Sequence, residues 1–166
     1  GRYTLHAGHQ RPFLFRRNIT ESILGVPETQ LRIVTGDIGG SFGLRGSIYP
    51  ELGLVLWAAK RVGRPVKWIC ERTDGFLSDD HARDNVTDAE LALDENGKFL
   101  ALRTRTNANM GAFVSFRGAG PAVANVGSIA GVYTTPAIHA RVSGVFTNTH
   151  PTAPYRGAGR PEAAYV

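Results

Sequence analysis

The sequence predicts an α+β fold built from mixed sheets with few helices. Stretches such as "QLRIVTG", "VTDAELALD" and "AIHARVSGVFTNT" alternate in polarity and are rich in strand-forming residues. One stretch, "PELGLVLWAAKRVG", carries a full set of helix start and stop signals. Strands and helices do not alternate as a regular βαβ repeat.

Taken in order, "GRYTLHAGHQRPFLFRRNI" opens in a strand, and a short helix is predicted at about Asn18 to Leu24, closed by Gly25 and Pro27. "QLRIVTG" is a strand running into a glycine loop. Pro50 then starts the best-marked helix. An early Glu51, with Lys60 and Arg61 ahead of Gly63, complements the helix dipole. Leu52, Val55, Leu56, Ala59 and Val62 recur at helical spacing and define its buried face. "RPVKWIC" reads as a strand ending in a core cysteine, Cys70, and "ERTDGFLSDD" as a loop or broken helix. The Asn-Gly of "ENGK" predicts a hairpin between "VTDAELALD" and "FLALRTRTNANMG". Gly111 to Tyr133 is rich in small residues and carries no clear signal. "RPEAAYV" reads as the beginning of a helix, and both ends suggest a segment of a longer protein.

The 166 residues are 42% hydrophobic, enough for a real core, and the formal charge of +5 permits an anionic partner without naming one. Arginines are spread along the chain rather than interleaved with aromatics in a stripe, which argues against a nucleic-acid module. No apolar run reaches membrane-span length. The single cysteine excludes an internal disulfide and any all-cysteine metal site, and favours a cytoplasmic protein. The five histidines lack metal-ligand spacing.

Glycine, at 20 residues, is in excess, and it gathers in loops. "GDIGGSFG" suits a backbone nest for an anion, although a flexible turn remains open. It is neither a P-loop nor a dinucleotide fingerprint, since the lysine is missing and the glycine offsets are wrong. In "PTAPYRGAGRPE", Arg156 and Arg160 flank a tight glycine turn. The guanidinium fork suits phosphate or an anionic oxygen, and bracing of loop carbonyls is the equal alternative.

Together "GDIGGSFG", "YPELGLVLWAAKRVGRPVKWICERTDGF", "NMGAF" and "YRGAGRPEA" resemble, in order and over essentially the whole chain, the xanthine dehydrogenase/aldehyde oxidase family of molybdenum hydroxylases. The likeness is strongest to the molybdopterin-binding large subunit of carbon-monoxide-dehydrogenase-like members. It implies that residues 1–166 are part of a molybdopterin-binding domain within a larger subunit, itself part of an oxidoreductase. The implied cofactor is molybdenum-molybdopterin, in its dinucleotide form. Implied partners are the remainder of the large subunit, an iron–sulfur small subunit carrying 2Fe-2S clusters, an FAD-binding medium subunit and a small organic substrate.

Residue by residue, the resemblance assigns Gly39, Gly40, Phe42 and Gly43 to the cofactor loop, with the Phe42 amide as donor. Gln10 matches the family glutamine that contacts an oxygen ligand of molybdenum, with His9 where threonine is usual. Arg156 matches the arginine beside the active centre and takes the catalytic role, with Gly157 and Ala158 forming the turn behind it. The family's general-base glutamate lies outside this chain. Gly157 replaces the copper-binding cysteine of CO-oxidising members, while Ala158 and Gly46 replace two purine-contacting residues. These departures argue against CO and purines as substrates. The alternative from another class is a non-catalytic module binding an anionic ligand or nucleic acid.

Overall fold

The computed structural model describes residues 1–166, which form two compact units, Gly1–Leu77 and Ser78–Val166.

In the first unit, β1 (Tyr3–His6) pairs in parallel with β2 (Leu31–Val34), with Tyr3 opposite Leu31 and His6 opposite Val34. Between them runs α1 (Pro12–Asn18), which continues without a break into a π-helical turn, Ile19–Leu24. Thr20 explains the wider turn: its hydroxyl donates to the carbonyls of Arg16 and Arg17, and its own carbonyl accepts from Gly25 at φ +61°. The helix thus starts about a turn and a half earlier than Asn18, at Pro12, whose lack of an N–H costs nothing in a first turn.

After β2 the glycine loop descends through a 3₁₀ turn, Leu44–Gly46, into α2 (Pro50–Val62). Leu5, Phe15, Ile19, Leu31 and Leu56 make the core, flanked by Ile33, Leu52 and Val55 among others. Gly53 permits α2 to pack closely, since a Cβ there would lie 3.1 Å from Ile23 Cγ2. The predicted face of α2 holds except at Val62, which is 60% exposed. Short α3 (Arg72–Ser78) occupies the stretch read as a loop or broken helix.

The strand predicted at "RPVKWIC" does not form. No strand pairs with residues 64–70, and alternation in polarity supplies no ladder by itself. Cys70 is accordingly exposed rather than core, its thiol donating to the Glu71 carbonyl.

The second unit is a three-stranded sheet in the order β3 (Asn85–Leu93), β4 (Phe99–Gly111), β5 (Ala137–Phe146). β3 and β4 form the expected hairpin. Asp94 Oδ1 accepts the amides of Asn96 and Lys98, and Gly97 takes φ +79°. β4 and β5 are parallel, and the crossover between them includes α4 (Ala119–Val126) in the stretch that carried no clear signal. The chain closes with α5 (Arg160–Tyr165), with Pro161 in its first turn as read. No helix of the structure is long and apolar enough to cross a membrane.

Candidate functional site

In the first unit, Gln10 and the glycine loop come together although 31 residues separate Gln10 from Ser41: Ser41 Oγ donates to Gln10 Oε1 at 2.9 Å. With its oxygen engaged, the Gln10 amide group presents its NH₂. The Gln10 backbone N–H donates to the Arg45 carbonyl at 3.0 Å, so residue 10 is held by backbone and side chain alike.

The loop bends sharply here. Gly40, Phe42 and Gly43 have φ of +100°, +52° and +110°. Positive φ at a phenylalanine is strained and tends to occur where function requires it. The Phe42 ring folds back over Gly40, where a Cβ would meet its Cε2 at 2.7 Å, so Gly40 is required by both conformation and contact. Gly39 has open space where a side chain would stand. From Gly39 to Ser47 the loop carries no acidic side chain, and Arg45 is its one charge.

His9 adjoins this loop and is 5% exposed. Its Nδ1 accepts the Arg11 amide at 3.1 Å, while Nε2 lies 3.2 Å from the Ser47 carbonyl. Its ring stacks on Phe15, with centroids 4.2 Å apart and planes 9° from parallel. Burial holds its pKa below the ordinary 6.5, partly opposed by the bond to the Ser47 carbonyl.

Arg156, Gly157 and Ala158 belong to the second unit. Three successive residues, Gly157, Ala158 and Gly159, take φ of +93°, +48° and +94°. Ala158 N–H donates to the Tyr155 carbonyl at 2.8 Å, closing the turn. Gly159 admits no side chain, because a Cβ would stand 2.0 Å from the Pro121 carbonyl oxygen. Arg156 is exposed, and Arg160 Nη1 braces the turn by donating to the Gly157 carbonyl at 3.1 Å.

Sequence reasoning missed Arg83. It has φ +57°, and its guanidinium donates to the Arg156 carbonyl, lies 5.0 Å over the Tyr155 ring and approaches Glu162 Oε1 at 3.9 Å. Nothing local in "HARDN" signals that reach. Asn109 was missed as well. Its side chain donates to Asp84 and Thr149 and accepts from Thr147 and the Gly111 amide, which fixes the end of β4.

No group of three or more His, Cys, Asp and Glu side chains could hold a metal directly. A metal served by the Gly39–Ser47 loop would arrive with its own organic ligand. A strained glycine nest, an amide NH₂ and an absence of carboxylates from Gly39 to Ser47 fit an oxygen-rich, anionic group of that kind. The fold is α+β, and in its first unit the Gly39–Ser47 loop with Gln10 is the candidate site for such a group.

Comparison with known proteins gives the family. Residues 1–166 match the molybdopterin cofactor-binding domain, and the chain belongs to that family. It is 39% identical to the gamma subunit of the 6-hydroxypseudooxynicotine dehydrogenase complex of Paenarthrobacter nicotinovorans, over 90% of this chain and 19% of that one. It is 37% identical to the carbon monoxide dehydrogenase large chain of Hydrogenophaga pseudoflava, over 91% of this chain and 19% of the relative. Among solved structures, quinoline 2-oxidoreductase from Pseudomonas putida 86 superposes with a TM-score of 0.90 at 32% identity, covering 95% of this chain and 20% of that one. The chain therefore spans about a fifth of the length of these relatives. The α+β reading and the family resemblance both hold, and the alternative of a non-catalytic module binding an anionic ligand or nucleic acid finds no support.

Proposed function

We propose that this chain is part of the large subunit of a molybdenum-dependent hydroxylase or dehydrogenase, and that residues 1–166 form part of its molybdopterin-binding domain. The observation that carries the reading is the match of residues 1–166 to the molybdopterin cofactor-binding domain. The 2.9 Å bond between Ser41 and Gln10 supports it by bringing together the two segments read as cofactor contacts.

In this reading Gly39, Gly40, Phe42 and Gly43 shape the cofactor loop, and the amide NH₂ of Gln10 donates to an oxygen of the bound group. Positive φ at Gly40, Phe42 and Gly43 turns the backbone for a close approach. The Phe42 ring, half exposed in this chain, shields the site from water. Arg156 is the catalytic residue, its guanidinium offering paired donors to developing negative charge, and the Gly157–Ala158 turn sets where it stands. When bound, the molybdenum group supplies the two-electron redox centre. The general base lies outside this chain.

The dinucleotide form of the cofactor, 2Fe-2S and FAD partner subunits, a small organic substrate and a cytoplasmic location complete the proposal. Gly157, which offers no thiolate for a soft metal, favours a substrate other than CO. Elemental analysis and cofactor extraction on the purified full-length complex test it. About one molybdenum per large subunit is expected; an active, molybdenum-free enzyme would overturn the proposal.

A further inference from the structure

We infer that His9 is a positioning residue for the cofactor loop, joining the Gln10 turn to the loop's far end at Ser47. The inference rests on the reading of Gln10 and the glycine loop as cofactor contacts. Both ring nitrogens are committed to backbone partners of opposite kind. The Arg11 amide can only donate, so Nδ1 must be the unprotonated acceptor. The Ser47 carbonyl can only accept, so Nε2 must carry the hydrogen. One neutral tautomer satisfies both, and the stack on the buried Phe15 ring fixes its plane.

The consequence reaches the loop through adjacent residues. His9 holds Ser47, Gln10 N–H holds the Arg45 carbonyl, and the Gln10 side chain holds Ser41. Residues 41–47 are therefore tied at three points to two consecutive residues. Releasing the imidazole frees the end of the loop nearest α2 and leaves Gln10 supported from one side. A residue that merely filled space against Phe15 would need the ring and neither nitrogen.

Three substitutions separate these roles in the full-length enzyme. His9→Gln places an amide nitrogen where Nε2 stands and keeps a donor for Ser47. His9→Asn places an oxygen where Nδ1 stands and keeps only the acceptor for Arg11. His9→Phe keeps the stacking and neither bond. Hydrogen exchange of the Arg45–Ser47 amides in cofactor-free protein is measured beside molybdenum content after assembly.

His9→Gln should stay close to wild type in both. His9→Asn and His9→Phe should exchange these amides about tenfold faster, the worth of one ordinary hydrogen bond, and retain less molybdenum. Should His9→Phe fail to fold, the Gln and Asn variants still decide, since equal exchange in the two overturns the role of His9. Wild-type exchange in His9→Phe overturns it as well. Gln10→Ala keeps the backbone bond to Arg45 and should lose molybdenum while the Ser47 amide stays protected. Full molybdenum content in that variant would instead overturn the cofactor reading of Gln10.

Discussion

The guanidinium of Arg83 lies 5.0 Å over the ring of Tyr155. The same group donates to the Arg156 carbonyl, so one side chain fixes the two residues leading into the strained turn. Arg83→Ala should release that approach and destabilise the turn by about 1–2 kcal/mol, combining a cation–π contact and a hydrogen bond. Arg83→Lys should recover part of the ring contact and little of the directed bond. Hydrogen exchange at the Ala158 amide reads the effect directly; unchanged protection in Arg83→Ala would make the clamp ornamental.

Arg156→Lys should impair the full-length enzyme far more than Arg160→Lys. Lysine keeps the charge and loses the fork, and an aligned donor in a preorganised site is worth roughly 2–4 kcal/mol in the chemical step. Arg160 is already engaged with the Gly157 carbonyl, which gives it a bracing role. Both variants need comparison at matched molybdenum content. A larger kcat defect in Arg160→Lys would reverse the two assignments.

Gly159→Ala should be among the most damaging single-methyl changes in the second unit, roughly 3 kcal/mol or more, because its Cβ meets a carbonyl and its φ is left-handed. Ala158→Gly tests the opposite case. It relieves a left-handed alanine worth about 1–2 kcal/mol, less about 0.4–1 kcal/mol of added freedom in the unfolded chain. Melting temperature of the full-length protein should fall in the first variant and hold or rise in the second.

Acid should weaken the first unit through His9. Its pKa in the folded chain is below 6.5, so the unfolded chain takes the proton first. Above pH 6.5 both states are neutral and His9 adds no pH dependence; below it, stability falls until the folded-state pKa is passed. The Arg11 amide, a donor, gains nothing from a protonated Nδ1. Denaturant midpoints measured on either side of pH 6.5 should show a slope that His9→Gln reduces. An identical slope in that variant would assign the acid sensitivity elsewhere.

Copper should add no activity toward CO. Gly157, beside Arg156, offers only backbone and no thiolate that could hold a soft metal. Titrating copper into the assembled complex and assaying CO oxidation checks this; copper-dependent turnover would require another ligand.

Much of the frame is legible in the residues. Pro50, Glu51 and Gly63 bracket α2 with chemistry that works locally, and Asn96-Gly97 closes its hairpin through Asp94 alone. The losses share a cause. Residues 64–70 have strand-like composition but no ladder partner, which no local pattern records. α4 is built from small residues without a side-chain cap, so neither periodicity nor capping marks it. In each unit glycines advertised the loop, whereas Phe42 in the first and Ala158 in the second hide left-handed backbone behind ordinary side chains. His9, Arg83 and Asn109 act through contacts distant in sequence. A histidine just ahead of Gln10 and a proline-started helix was the one faint signal for the first of them.

The unequal joining of the three strands in the second unit also sets an order in time. β3 and β4 are separated by one tight turn, and a hairpin of that kind closes on the order of 1–10 μs. β5 must wait until the stretch from Ala112 to Pro136, with α4 inside it, has been looped back alongside β4. During that delay β4 shows a bare hydrogen-bonding edge to any other strand, including one from a neighbouring nascent chain. Slowing the crossover therefore lengthens exposure of that edge, and aggregation yield during refolding becomes a sensitive reporter of α4.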